Sequence, residues 1–400
     1  MDVIATFFHY LLYALGIFLF LNCVYLLFFA LAGHKKINAI SNQPSRFRKF
    51  CVLIPAYREN VVILESSMAA LQHAYSGKFE VVVIADGLKS ETVLALRLQG
   101  AQVVEVSFEK STKGKALAVA LNELQGKGYE VAAVLDVDNI MGKGFLEEVN
   151  RAFEAGYKVV QAHRTAKNMD TSFALLDTCN EEINNHIYRK GHFAVGLSSA
   201  LIGSGMAFDF KYLQKLLVGI GDTVGEDKEI DFRIAKDQVK ICYLDKVYVY
   251  DEKIENAQVF TQQRTRWISA QLEFLKKYSK EGLVQLFRNG NFEFFNKVLQ
   301  AYLVPRMLLI GLLGLLFLVS FVLPVGPPVS FWFVLLVMLA AALLISLPQR
   351  LYNKNLWQAI VRLPYAIFCM VIALFGINKT KTSFLATPHK SQSISTKIDT

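Results

Sequence analysis

The sequence predicts an α/β domain with a mainly parallel sheet, flanked on both sides by membrane segments. Between residues 50 and 165, short β-branched runs alternate with stretches of helical character, which is the pattern of strands joined by crossover helices. The 400 residues are 53% hydrophobic, more than is typical of a soluble domain. Long apolar runs at both ends of the chain account for this excess.

The first apolar run, about residues 3–33, is longer than the roughly 20 residues that cross a bilayer. A cleaved signal peptide would have a basic start and a shorter apolar stretch, whereas Asp2 stands at this start. We therefore expect residues 1–34 to form an uncleaved transmembrane anchor. The basic residues that follow, Lys35 and Lys36 among them, predict a cytoplasmic location for the next segment.

Three further apolar stretches follow, at about residues 304–323, 330–347 and 357–377. We expect the region 304–377 to contain two or three spans, because the third stretch could instead be re-entrant or interfacial. A full outward crossing there would export the basic tail, residues 378–400, against the positive-inside rule. The sequence thus predicts a multi-pass protein of the cell (inner or plasma) membrane with a cytoplasmic catalytic domain.

Charge, cysteine and histidine patterns argue against several classes of function. Many of the basic residues behind the net charge of +9 lie beside apolar segments, and no nucleic-acid-binding motif is present, so we expect no nucleic acid partner. The five cysteines are too scattered for a zinc or redox site, which predicts reduced, mostly buried thiols. The histidines lack a flanking nucleophile signature, which argues against Ser-His-Asp or Cys-His hydrolysis.

Polar side chains follow several strands of the predicted sheet, where open sheets of this type bind ligands. The expected strands are 50–54, 80–84, 103–106, 131–135 and 158–161. Tyr57 and Glu59 follow the first strand, Asp86 follows the second, and Asp136 and Asp138 follow the fourth. We expect these side chains to share one crevice.

Asp136 and Asp138 are separated by one residue, so their side chains face the same side while Val137 faces the core. Two carboxylates at such a position can hold Mg²⁺ or Mn²⁺, with water and substrate phosphates completing the coordination. A pair of turn-forming or helix-capping aspartates is equally consistent with this short motif, because Asn139 and Gly142 follow it.

Two weaker motifs accompany this pair. Asp86-Gly87 could accept hydrogen bonds from a base or ribose, or it could form an ordinary β-turn. Lys113-Gly114-Lys115 precedes a predicted helix and offers cations for phosphate. It lacks the preceding glycine of a Walker loop, so a solvated basic helix start is the alternative.

Two further motifs follow the region of alternating strands and helices. Glu226 and Asp227 begin a predicted helix, where a carboxylate is usually a cap; a functional Asp227 would instead be the general base for an acceptor hydroxyl. Residues 263–267 combine an amide, guanidinium groups and an indole ring, which suits sugar stacking and diphosphate pairing. The alternative is an amphipathic helix on the membrane surface, and we assign residues 256–303 to this motif and to interfacial helices.

Taken in order, seven motifs resemble the membrane-bound family 2 glycosyltransferases, which include cellulose, hyaluronan and chitooligosaccharide synthases. The resemblance spans about residues 48–270 and rests on Pro55-Ala56-Tyr57, Asp86-Gly87, Lys113-Gly114-Lys115-Ala116-Leu117, Asp136-Val137-Asp138, Gly203-Ser204-Gly205, Glu226-Asp227 and Gln263-Arg264-Thr265-Arg266-Trp267. It implies a GT-A (Rossmann-like) fold over residues 48–255. It also implies inverting transfer from a UDP-sugar or similar donor, with Mg²⁺ or Mn²⁺ as cofactor.

The resemblance further implies roles for individual residues. Asp227, with Glu226, would be the catalytic base, and Asp136 and Asp138 would hold the metal. The expected donor contacts are Ala56, Tyr57, Glu59, Asp86, Lys115, Asp136, Gln263, Arg266 and Trp267, and the expected acceptor contacts are Gly203, Ser204, Gly205 and Trp267. Residues 384–390 are similar to a cytoplasmic tail motif of the family.

The chain departs from the family pattern in the nucleotide motif, where Ala85 precedes Asp86 instead of a second aspartate, and at Gly225, which replaces the usual threonine. It also has fewer expected spans than cellulose synthases, so a polymer channel would either need a second subunit, such as another copy or an export subunit, or not exist. A non-catalytic scaffold or transporter is disfavoured because the membrane segments lack buried ionisable residues apart from Arg306.

Two products stay open at this point. A growing polysaccharide or oligosaccharide is favoured by the Gln-x-x-Arg-Trp motif, which is associated with processive enzymes. A glycolipid that receives a single sugar is favoured by the small membrane region. The partners expected are therefore a nucleotide-sugar donor, a glycan or lipid acceptor and the lipid bilayer.

Overall fold

The computed structural model describes residues 3–37, 40, 44–223, 225–323 and 325–376. In this part of the chain, one sheet contains β1 (Phe50–Tyr57), β2 (Phe79–Asp86), β3 (Gln102–Val106), β4 (Val131–Val134), β5 (Ile140–Met141), β6 (Val159–Ala166), β7 (Met206–Asp209) and β8 (Ile241–Asp251). The strand order is β3-β2-β1-β4-β7-β6-β8-β5, and only the pairs that include β5 or β7 are antiparallel. The mainly parallel sheet and its five expected strands are confirmed.

Helices connect the strands and continue beyond the sheet. In chain order they are α1 (Val3–Ala32), α2 (Val62–Leu71), α3 (Ser90–Gln99), α4 (Lys113–Glu123), α5 (Phe145–Glu154), α6 (Ser172–Asn184), a π-helix (Asn185–Gly191), α7 (His192–Ala194), α8 (Phe210–Leu217), α9 (Glu226–Lys236), α10 (Ala257–Asn289), α11 (Phe292–Tyr302), α12 (Arg306–Val319), α13 (Val329–Ile345), a 3₁₀-helix (Gln349–Leu351), α14 (Lys354–Val361) and α15 (Leu363–Phe375).

The sheet is buried on both faces. Along β1, Val52 and Ile54 belong to a core with α2, α3 and α5, whereas Cys51 and Leu53 belong to a core with α4 and α8. Because successive side chains of a strand face opposite sides, a strand covered on both sides needs a continuous apolar run. This explains why the central strands lack an apolar–polar alternation.

The strand register places the carboxyl ends of several strands at one edge of the sheet. Tyr57 at the end of β1 is paired with Asp86 at the end of β2, and Leu53 of β1 is paired with Val134 of β4. Asp136 therefore follows β4 at the same edge. On the other side of β7, Ala166 of β6 is paired with Asp251 of β8.

The apolar helices form a second layer beside the domain. By length and composition, α1 can cross a membrane, with a mean hydropathy of 2.4. The pairs α11–α12 and α14–α15 are bent by 55° and 47°, and each is long and apolar enough if it counts as one broken span. Leu19 and Leu26 of α1 pack with Leu335 of α13 and Ile187 of the π-helix. The tail motif at residues 384–390 lies outside the described residues.

Candidate active site

A cavity of 640 Å³ lies at the carboxyl edge of the sheet. This volume is within the range of about 300–1,000 Å³ that is usual for ligand sites. The cavity brings together most of the site residues predicted from the sequence: Ala56, Tyr57, Glu59, Asp86, Asp136, Asp138, Gly203, Glu226, Asp227, Gln263, Arg266 and Trp267.

One end of the cavity lies at β1 and β2. Asp86 is only 7% exposed, and burial raises the pKa of its carboxyl, with Ser111 and Arg58 opposing the shift. Gly87 follows with a φ of 69°, a left-handed conformation that favours glycine. The turn therefore holds a carboxylate at the floor of the pocket, where a hydrogen-bond donor of a ligand can reach it.

Asp136 is tied to the start of α4. The ammonium group of Lys113 donates to Asp136 Oδ1 and, at 2.6 Å, to the carbonyl oxygen of Gly203. Burial alone would lower the pKa of Lys113, but the carboxylates of Asp136 and Glu226 outweigh it, so the pKa lies above its ordinary value. A fixed positive charge therefore stands between the end of β4 and the start of α9.

Asp138 is more deeply buried than Asp136. It is 4% exposed; its Oδ2 accepts from the backbone N–H of Glu252 at 2.7 Å, and its Oδ1 accepts from Asn139 Nδ2 at 3.1 Å. The side chain of Asp136 is 34% exposed. The pair thus consists of one anchored and one accessible carboxylate.

The donor chemistry of this pair fits a divalent cation. No group of three or more His, Cys, Asp or Glu side chains in the described ranges could hold a metal. Mg²⁺ normally binds one or two protein carboxylates and completes its shell with water and substrate phosphates. Asp136 and Asp138 match that requirement, whereas a closed cage made only of protein ligands does not occur among the described residues.

Glu226 and Asp227 lie at the first turn of α9, as the sequence predicts. Burial raises the pKa of Glu226 to about 7; Lys113 opposes this shift and Asp227 adds to it. Asp227 Oδ1 accepts the backbone N–H of Lys228 at 2.8 Å, and its side chain packs beside Gly203. The two carboxylates therefore stand next to the Lys113–Asp136 pair.

The Gln-Arg-Thr-Arg-Trp motif lies on α10. Gln263, Arg266 and Trp267 occupy one face because they are three and four residues apart, and all three line the cavity. Trp267 is 42% exposed. Gln263 Oε1 is buried and has no hydrogen-bond partner in the part of the chain that is described, so a ligand hydroxyl could donate to it.

Arg264 also lines the cavity and contacts Trp267. Its Nη2 donates to Asp177 of α6, and its guanidinium carbon lies 4.1 Å from the centre of the Trp267 ring. A guanidinium stacked on an indole ring is stabilised by the charge distribution of the ring. Arg264 therefore orients Trp267, a role that sequence reasoning did not assign to it.

Three predicted residues lie outside the cavity lining. Lys115 forms an ion pair with Asp222; Ser204 Oγ donates to Asn139; and the carbonyl oxygen of Gly205 accepts from the backbone of Ala162. Lys113, two residues earlier, lines the cavity; the donor contact expected for Lys115 stays a prediction.

Residues 48–270, more than half of the chain, match the family described as glycosyltransferase like family 2. The chain belongs to this family. A curated relative, the probable glycosyltransferase YdaM of Bacillus subtilis (strain 168), is 24% identical over 251 residues, 58% of each chain. The chain therefore spans less than two thirds of the length of that relative.

A solved structure resembles this chain in fold. The mannosyltransferase PcManGT from Pyrobaculum calidifontis, in complex with GDP-Man and Mn²⁺, superposes with a TM-score of 0.57 at 17% identity. The match covers 92% of this chain and 99% of that chain. The family 2 domain thus has the GT-A fold that the sequence resemblance implied.

The family motifs do not include a group of charged residues at the ends of β6 and β8. Arg164 lies 2.9 Å from Glu181 and 3.4 Å from Asp251, and it reaches to 3.9 Å from Asp136. Burial raises the pKa of Asp251 to about 6, although Lys253 lies 2.7 Å away. One feature of the sequence could have indicated Arg164 and Asp251 as site residues: both lie near the carboxyl ends of their strands.

Proposed function

We propose that this protein is an inverting glycosyltransferase that moves a sugar from a nucleotide-diphosphate donor to an acceptor bound in the same cavity. The observation that carries this proposal is the convergence of three groups: the Asp136–Asp138 pair, the Lys113 ammonium and Asp227. The aspartate pair suits a metal-bound diphosphate, and Lys113 adds a fixed positive charge. Asp227 can accept a proton.

The donor would lie along the edge from β2 to β4. Its base and ribose would lie near Ala56, Tyr57 and Asp86, and its diphosphate near Asp136 and Lys113. A Mg²⁺ or Mn²⁺ ion held by Asp136 and Asp138 would neutralise charge on the diphosphate. Charge stabilisation by groups already in place lowers the barrier because no reorganisation is needed during the reaction.

Transfer would proceed by direct displacement. The acceptor oxygen attacks the anomeric carbon, the bond between that carbon and the phosphate oxygen breaks, and the nucleoside diphosphate leaves with the bonding electrons. Asp227 takes the proton from the acceptor hydroxyl as its oxygen becomes a nucleophile. A single displacement inverts the anomeric configuration.

The identity of the donor is tested with the full chain, purified in detergent and incubated with UDP- and GDP-sugars and with Mg²⁺ or Mn²⁺. A UDP-sugar is the first expectation, and a GDP-sugar is included because the structural neighbour binds GDP-Man. Mass spectrometry should detect a product that is heavier than the acceptor by one or more sugar units. Failure to bind or use any nucleotide sugar would refute the proposal.

The number of sugars added decides between two products, a growing polysaccharide or oligosaccharide and a glycolipid with a single added sugar. The exposed Trp267 on the face of Gln263 and Arg266 favours a polysaccharide or oligosaccharide, because a flat ring at the acceptor side can stack on successive sugars. The alternative, a glycolipid synthase, is favoured by the cavity lining itself, which includes Val304 and Met307 near the apolar helices. A product ladder supports the first, and a single addition to a lipid supports the second.

We also propose that α1 anchors the domain to the cytoplasmic side of the membrane, with the bent pairs as further spans. The apolar length of α1 and the basic residues after it support this orientation. Labelling of single cysteines introduced at exposed positions such as Lys89, in intact and in opened cells, tests the sidedness. Chemical cross-linking in membranes tests for a homo-oligomer or an export subunit.

A further inference from the structure

The cavity does not end at the catalytic groups. Beyond Asp227 and Trp267 its lining continues through the break between α11 and α12 and reaches α15, where Leu303, Val304, Met307 and Met370 contribute apolar side chains. Arg306, the first residue of α12, lines this inner end. A charged group thus stands where the polar cavity meets helices of membrane-spanning character.

Arg306 differs from Arg189, Arg264 and Lys297, which line the same cavity, in its partners. Its Nη2 donates to Asn180 Oδ1 at 2.5 Å and to Asn184 Oδ1 at 2.8 Å, both neutral amides of α6. Its Nη1 is buried and has no hydrogen-bond partner within the described ranges.

The neighbouring cations are neutralised by carboxylates. Arg189 lies 3.2 Å from Glu181 and Lys297 lies 2.9 Å from Asp231; Arg264 is paired with Asp177. For Arg306, the described part of the chain provides no ion-pair partner. A buried charge without a counter-charge is costly, so an anion bound at Arg306 would be strongly favoured.

We infer that Arg306, with Asn180 and Asn184, binds the phosphate group of an amphipathic acceptor whose hydrocarbon chain lies along the apolar helices. Because Nη1 of Arg306 has no hydrogen-bond partner among the described residues, it can donate to a phosphate oxygen. Met307 and Met370, which line the same cavity, suit an alkyl chain. The inference rests on the proposed function, because it names the anchor of the acceptor. It is compatible with either product, since a single sugar or a growing chain can be carried on a lipid.

The test measures binding of dodecyl phosphate to the full chain in dodecyl maltoside micelles, with dodecanol and inorganic phosphate as separate probes. Wild type should bind dodecyl phosphate more tightly than either. Arg306→Gln should weaken this binding about tenfold or more, as expected for loss of a charge-assisted hydrogen bond. Arg362→Gln, which alters an exposed arginine outside the cavity lining, should leave it unchanged.

A second variant covers the case in which Arg306→Gln does not fold. Asn184→Asp keeps Arg306 in place and supplies an intramolecular carboxylate beside its Nη2, so it should also weaken dodecyl phosphate binding. Unchanged binding in both variants, or equal binding of dodecanol, would overturn the inference. If inorganic phosphate bound as tightly as dodecyl phosphate, the inference that the ligand has a hydrocarbon chain would be overturned.

The same samples provide a separate test of the proposed function. Binding of UDP and GDP should be the same in wild type and in both variants, because Arg306 lies away from the donor end. A wild-type protein that binds dodecyl phosphate through Arg306 but neither binds nor uses any nucleotide sugar would refute the glycosyltransferase proposal alone. A protein that transfers sugar, but whose binding of dodecyl phosphate ignores Arg306, would refute this inference alone.

Discussion

The ammonium group of Lys113 is hydrogen-bonded to the carboxylate of Asp136 and to the carbonyl oxygen of Gly203. This contact joins the start of α4 to the end of β4 and to the loop before β7. It also places a buried positive charge next to Glu226. This end of the cavity therefore contains a cation and several carboxylates in close contact.

Replacing Lys113 by alanine should reduce kcat/KM about 100-fold, because a charge-assisted contact to the diphosphate is lost and Asp136 loses its partner. The matched control is Lys115→Ala, in the same helix turn but paired with Asp222. Lys115→Ala should remain within about twofold of wild type, as is usual for surface ion pairs. A larger loss in the Lys115 variant would support the donor contact that the sequence predicts for Lys115.

The second prediction concerns the proposed base. Asp227→Asn should lower kcat by about 10²–10⁴-fold, the usual contribution of a general base, while nucleotide binding persists. Asp222→Asn removes a carboxylate five residues earlier, outside the cavity lining, and serves as the control. Near-normal turnover in Asp227→Asn, measured with the wild-type donor and acceptor, would exclude Asp227 as the base.

Metal removal gives the third prediction. Chelation with EDTA should abolish transfer, and added Mg²⁺ or Mn²⁺ should restore it, because only two carboxylates and the donor phosphates would complete the site. Asp138→Asn should raise the Mn²⁺ concentration needed for half-maximal activity about tenfold or more. The amide oxygen of the variant can still accept from the Glu252 backbone, so circular dichroism should show a retained fold. Full activity in EDTA would contradict the metal proposal.

The sequence allowed prediction of the sheet and of the acidic strand ends for a simple physical reason. The central strands are buried on both faces, so their apolar runs are continuous, and a polar residue such as Asp86 or Asp136 marks where burial ends. The same rule placed Tyr57 and Asp86 at one edge, and their pairing confirms this.

The choice between Lys113 and Lys115 could not be made from the motif. Two residues apart in the first turn of a helix, they point in different directions, and only the packing of α4 shows which side chain meets Asp136. Arg164 and Asp251 were missed for another reason. A shift in register between β6 and β8, after Ala162, decides which of their residues face each other near the cavity.

The raised pKa of Glu226, about 7, gives a fourth prediction. A carboxyl whose pKa is higher in the folded than in the unfolded state makes folding less favourable as pH rises from its unfolded pKa through its folded one. The full penalty is present above pH 7 and absent below about pH 4.5. Glu226→Gln should therefore raise the apparent melting temperature by about 2 °C or more at pH 8.

The same variant should change the melting temperature little at pH 5, where Glu226 is mostly protonated in the folded protein. The measurement is a thermal unfolding series from pH 5 to pH 8 on both proteins. A stabilisation that does not depend on pH would show that the gain comes from packing and not from the ionisation of Glu226.

The fifth prediction concerns Gly225, which stands where the family pattern that the sequence resembles has threonine before Glu-Asp. A Cβ atom at Gly225 would lie 2.9 Å from Cε2 of Phe274 on α10, too close for van der Waals contact, although the φ of −109° suits any residue. Gly225→Thr should therefore destabilise the fold by about 1–3 kcal/mol, the usual cost of overpacking. It should also lower activity, because Phe274 and Glu226 both line the cavity.

A smaller side chain on α10 should relieve this conflict. Phe274→Leu removes the ring atoms that face Gly225, so the pair Gly225→Thr/Phe274→Leu should be more stable than the sum of the two single variants predicts. The free energies of unfolding of the four proteins form a double-mutant cycle, which isolates the interaction between the two positions. Simple additivity would mean that residue 225 and α10 do not constrain each other. Coupling would mean that the position of the Gln-Arg-Thr-Arg-Trp helix sets which residue can precede the Glu226-Asp227 pair.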